Sequence, residues 1–84
     1  MDLNEQVNKI SSRKDLVEFI HALGNDLQSN PDDWENSSLE DYLEGLYGWV
    51  NDMEGYYINH NLPIPMAPSW KTIGEILIAA RCYE

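Results

Sequence analysis

The sequence predicts an all-α fold, a small bundle of three main helices in one domain over residues 1–84, and three observations carry that prediction. Apolar residues recur at three- and four-residue spacing in three separate stretches. A serine stands at the head of each stretch, where a helix needs an N-cap. No stretch of useful length alternates apolar and polar residues as a half-buried strand does.

The first main helix is expected over 12–29, in "SSRKDLVEFIHALGNDLQSNP". Leu16, Phe19, Ile20, Leu23 and Leu27 fall on one narrow stripe. Ser12 with Asp15 resembles a capping box in which Asp replaces the usual Glu or Gln. Asn30-Pro31 ends the helix, because the residue before proline is pushed out of the α region. Ahead of it, Leu3, Val7 and Ile10 predict a short amphipathic helix within 1–10.

After the loop "PDDWENSS", Ser37 and Glu40 form an S-x-x-E capping box for a second helix over 37–54. Leu39, Leu43, Leu46, Val50 and Met53 are its expected core stripe, with Tyr42 and Trp49 on one flank and Tyr47 on the other. Glu40, Asp41, Glu44 and Asp52 project from the opposite side. Gly45 and Gly48 lie off the stripe, and each costs roughly 1 kcal/mol against alanine inside a helix. Either another backbone approaches closely there, or the helix tolerates two poor residues. Gly55 is expected at C′, supplying a left-handed cap.

A proline-bearing loop over 55–68 follows. It is long for a helical bundle, and Tyr56, Tyr57, Ile58, Leu62, Ile64 and Met66 make it too apolar to hang free. Its expected role is an extended strap packed on the bundle. A contact surface lined by Tyr56 and Tyr57 is the alternative. Ser69 then caps the last helix, over 69–83, whose face is Trp70, Ile73, Ile76, Leu77, Ala80 and Tyr83.

Taken together, "WENSSLEDYLEGLYGWVNDMEGYY" and "PSWKTIGEILIAARCYE" resemble a family of short bacterial domains of unknown function. The pattern is a W-E-N segment at Trp34 to Asn36, W-x-x-D-M-x-G-Y-Y over Trp49 to Tyr57, and W…A-A-R-x-Y-E from Trp70 to Glu84. The resemblance covers roughly residues 11–84 and implies neither an enzymatic activity nor a ligand. Small families of this kind often sit beside toxin or contact-dependent inhibition genes, which is association only.

Charge is the most specific functional signal. Fifteen acids against five bases give a net charge of −10. From Asp15 to Trp70 there are eleven acids and no lysine or arginine. Such a field repels nucleic acid and anionic membranes and attracts basic surfaces. It also serves plain solubility. The single cysteine, Cys82, cannot form an internal disulfide and is expected to be a half-buried structural thiol, which fits a cytoplasmic protein. No apolar run reaches the length of a membrane span, and "MDLNEQVNKI" lacks the regions of a signal peptide.

No constellation points to catalysis, a metal or a cofactor. Asp33, Glu35, Ser37 and Glu44 fall at EF-hand-like positions, but Ser38 stands where that loop needs glycine. His21 and His60 have no ligand partner at zinc spacing. Trp34, Trp49, Trp70 and the tyrosine pair could stack on bases, but the positive groove that such sites require is missing.

The expected function is therefore a non-catalytic interaction module that binds a basic protein, in its concrete form an immunity or antitoxin-type protein. Its candidate contact residues are Asp32, Asp33, Trp34, Glu35, Glu40, Asp41, Glu44 and Asp52. Trp34 is either a plug docked on the bundle or an exposed anchor. The alternatives are a self-associating structural domain that forms a homodimer, and an inhibitor that mimics nucleic-acid phosphates.

Overall fold

The computed structural model describes residues 2–83 and shows an all-α chain. Its helices are α1 (Leu3–Asn8), α2 (Arg13–Ser29), a 3-10 turn (Pro31–Asp33), α3 (Leu39–Asn59) and α4 (Trp70–Ala79). Side-chain caps open every α-helix: Asp2, Ser12, Ser38 and Ser69 each accept from the backbone N–H three residues on. At α2 the box is nearly reciprocal, since the Asp15 carboxylate reaches back to Ser11 N at 3.0 Å. At α3 the cap is Ser38, paired with Asp41, and not Ser37 with Glu40. Adjacent serines offer two registers, and the second is the one used.

α4 is the hub. It packs against α1, α2 and α3, and every residue from Lys71 to Ala80 is partly or fully buried. A helix that is apolar nearly all round needs such an enclosed place. Gly74 lets α1 close on it, because a Cβ there would meet Ile10 Cδ1 at 2.5 Å. The core consists of Val7 and Ile10, of Leu16, Phe19 and Leu23 from α2, and of Trp34. Ile73, Leu77 and Ile78 of α4 pack onto it, so Ile78 is covered.

α3 departs most from expectation. It runs to Asn59, five residues beyond the expected end, and so takes in Tyr56 and Tyr57, which are not loop residues. Gly55 sits inside the helix and no glycine among the described residues has positive φ. The left-handed C′ residue is Asn61, at φ 55°. Leu62 N bonds Tyr57 O at 2.9 Å and Asn61 N bonds Ile58 O at 3.2 Å, which completes a Schellman motif. Asparagine adopts the left-handed region next most readily after glycine, and Pro63 prevents further helix.

The connection that remains, from His60 to Ser69, is not a packed strap. Only Pro65 within it is partly buried, and Met66 is 96% exposed. Extending α3 spends the tyrosines that were expected to hold the strap down.

Candidate interaction surface

α3 presents three sides. At 100° per residue, one side carries Tyr42, Gly45, Trp49 and Tyr56, and this is the side turned to α4. Small residues make that contact possible. A Cβ on Gly45 would stand 2.5 Å from Ala80 O and 2.6 Å from Asn36 Nδ2, and one on Gly48 would stand 3.2 Å from the Tyr83 ring. Of the two readings left open for these glycines, close approach is the one observed: backbone at the end of α4 approaches Gly45, and the Tyr83 ring approaches Gly48.

Asn36 fastens the same junction. Its Nδ2 donates to Ala80 O at 2.9 Å and Tyr83 O at 2.8 Å, satisfying two carbonyls that the end of a helix leaves free. Asn36 N also donates to Arg81 O at 2.8 Å. Tyr42 Oη donates to Leu77 O at 2.8 Å, and burial raises the pKa of its phenol. Trp49 sits edge-on to Tyr56 and Tyr83, and Tyr57 is buried nearby, its phenol pKa also raised by burial.

The second side is the apolar stripe, and it does not face the core. Leu39 is 73% exposed, Leu43 51% and Val50 48%, while Leu46 and Met53 are half-buried. Among the described residues α3 packs on α4 and not on α2, which leaves Leu39, Leu43 and Val50 in solvent. Between α2 and α3 lies an apolar groove of about 420 Å³, lined by Ile20, Leu23 and Leu27 on one bank and Leu39 and Tyr42 on the other. Ile20, assigned to the core stripe of α2, is 48% exposed in that groove.

The third side is acidic. Glu40, Asp41, Glu44 and Asp52 are all exposed. Glu40 and the likewise exposed Glu54 flank the apolar stripe beyond Leu43, Glu44 lies round the back of the helix, and Asp41 and Asp52 lie on the far edge, toward Tyr83. Tyr83 Oη donates to Asp52 at 2.6 Å, and that carboxylate raises the tyrosine pKa. Glu40 and Asp41 sit in the first turn, where the helix dipole favours them. Glu44 gains nothing from the dipole and faces Glu40 at i,i+4, a mildly unfavourable like-charge pair.

Asp32, Asp33 and Glu35 are exposed in and after the 3-10 turn, but Trp34 between them is not. It is 7% exposed and docks as a plug. Its Nε1 donates to Asp26 at 2.8 Å, and its ring lies 5.9 Å from Tyr42. The Arg81 guanidinium lies 5.7 Å from the same ring and 3.5 Å from Asp26. These bonds, led by that from Trp34, hold the Asp26 carboxyl below the usual aspartate range. The tryptophan therefore belongs to the frame, and only the acids around it are available to a partner.

Cys82 is exposed, with Sγ 3.8 Å from Asp33 O, and is not the half-buried thiol expected. Among the described residues no three His, Cys, Asp or Glu side chains converge as a metal site requires, and no helix is long and apolar enough to cross a membrane. Ile20, Leu39 and Leu43, expected in the core, are instead exposed and are added to the candidate surface.

A family model described as "Family of unknown function (DUF7660)" matches residues 12–84. The chain belongs to that family. No curated protein and no solved structure matches it. The matched span takes in every main helix, the groove and the acidic side of α3, while α1 lies outside it.

Proposed function

We propose that this chain is a non-catalytic protein-interaction module that binds a basic partner through the outer surface of α3. The observation that carries this reading is the apolar stripe of α3, left in solvent beside Glu40 and Glu54. Contiguous exposed apolar surface with a polar rim is what protein interfaces use. The lack of any lysine or arginine from Asp15 to Trp70 sets the sign of the partner. An immunity or antitoxin-type protein that occupies a basic effector is the concrete form. Its one thiol, free at Cys82, suits the reducing cytoplasm.

Capture from the native cell's lysate at low salt supplies the partner, and the association rate of the purified pair is the test. Asp41→Lys with Glu44→Lys should slow association by about tenfold or more at low salt, and the gap should narrow as salt rises. An unchanged rate would remove the acidic side from the reading. A homodimer through the same stripe is the second reading, favoured by the exposure of Leu39 and Leu43 and opposed by the charge of −10 on each copy. Ultracentrifugation across a dilution series separates the two, since a monomer throughout the micromolar range excludes the dimer.

A further inference from the structure

The groove between α2 and α3 allows a sharper statement, which rests on reading the chain as an interaction module. We infer that this groove receives one amphipathic helix of the partner, with the apolar side of that helix in the groove and Lys or Arg along the flank that meets α3.

The groove selects for apolar anchors. Its lining offers few directional polar groups: Asn36 Nδ2 is committed to Ala80 O and Tyr83 O, and Ser38 Oγ to the α3 cap. A small polar ligand would find little to orient it. A volume of about 420 Å³ holds several large aliphatic side chains, though not a whole helix. The body of the helix would lie above, along Leu39, Leu43 and Val50, which continue the apolar surface at helical spacing. Among the described residues there is no strand edge to which an extended peptide could add, so helix-in-groove recognition is the mode the fold offers.

The two banks differ in charge, and the difference orients the occupant. Beyond Ile20 and Gly24, the α2 bank continues through Val17, His21 and Gln28, with no acid among them. Beyond Leu39 and Leu43, the α3 bank reaches Glu54 and Glu40, both exposed. Cations on one flank of the incoming helix would meet those two carboxylates. A second copy of this chain fits poorly, because an isologous contact through α3 would bring the two acidic banks together. An anionic membrane is repelled by the same field.

The test is a panel of synthetic amphipathic helices, with Leu and Ile on one side and Lys on the other, titrated into the full chain. Methyl NMR reports on Ile20, Leu27, Leu39 and Leu43. The expected result is binding by lysine-bearing members, with shifts concentrated at those methyls. Glutamate-bearing and scrambled counterparts should not bind. Ile20→Gln with Leu39→Gln removes exposed apolar surface without adding charge and should weaken binding by about tenfold or more. Glu40→Lys with Glu54→Lys should weaken it more than Asp41→Lys with Asp52→Lys, although both pairs change net charge equally.

Three outcomes would overturn the groove. The first is silence across the panel at these methyls. The second is binding that ignores Ile20→Gln and Leu39→Gln and depends equally on all four acids, which would leave the proposed function standing as a purely electrostatic contact. The third is concentration-dependent burial of the same methyls without peptide, which would make the occupant a second copy and sink the basic-partner reading as well.

Discussion

α2 buries Leu16, Phe19 and Leu23 against α1 and α4, while α3, with as regular an apolar stripe, leaves Leu39, Leu43 and Val50 in solvent. The packed side of α3 is instead built on Gly45 and Gly48, with Tyr42 and Trp49 beside them. An apolar stripe shows that a helix has something to bury. It does not show that the burial happens within the chain. Where the fold itself holds the helix through glycine, the stripe is free for another molecule, and that separation of duties is what makes α3 the candidate surface.

The largest effect is expected in the buried helix. Phe19 is fully buried, and Phe19→Ala should cost about 3–5 kcal/mol of unfolding free energy, read by chemical denaturation. A cost below 1 kcal/mol would mean that α2 is not the core helix described. Next comes Gly45→Ala. The added methyl would press on the Ala80 carbonyl and Asn36, and backbone cannot swing aside as a side-chain tip can. A loss of about 1–3 kcal/mol is expected. Asn36→Ala leaves two carbonyls without their donor and should cost a comparable amount.

The frame that holds Trp34 is sensitive to acid. Asp26 is more acidic in the folded state than in the unfolded chain, so the unfolded state takes up the proton first. Its contribution is complete above about pH 4, the ordinary aspartate value, and is lost as pH falls through the lower folded value. Asp26→Asn should therefore flatten the acid limb of the stability profile. An acid limb unchanged in the variant would show that the Trp34 and Arg81 contacts do not hold this carboxylate.

Gly55→Ala is a smaller effect of opposite sign. Gly55 has open space around it and lies within α3, so alanine should stabilise by up to about 1 kcal/mol. Had Gly55 been the left-handed cap, the same change would destabilise. The smallest effect belongs to Leu39→Gln with Leu43→Gln, which should change folding stability by no more than about 0.5 kcal/mol per site.

Helix number and the start of α4 were legible because capping serines and Asn30-Pro31 act locally. The stripe of α2 was legible, Ile20 apart, because periodicity and burial coincide there. The end of α3 was misread because two residues could supply a left-handed cap, and Asn61 followed by Leu62-Pro63 is a quieter signal than Gly55. The orientation of α3 was nearly legible. Gly45 and Gly48 lie off the apolar stripe, and taken as marks of close approach they would have placed the packed side away from Leu39 and Leu43. The acids were visible from the start, but only the fold divides Glu40, on the groove's side of α3, from Asp52, which Tyr83 holds.

The most direct measurement is the affinity of the Leu39→Gln, Leu43→Gln variant for the partner that the wild-type chain captures, under conditions where both are folded. Binding should weaken by about tenfold or more while folding stability changes by no more than about 0.5 kcal/mol per site. Wild-type affinity in the variant would contradict it, since the exposed stripe of α3 would then contribute nothing to recognition.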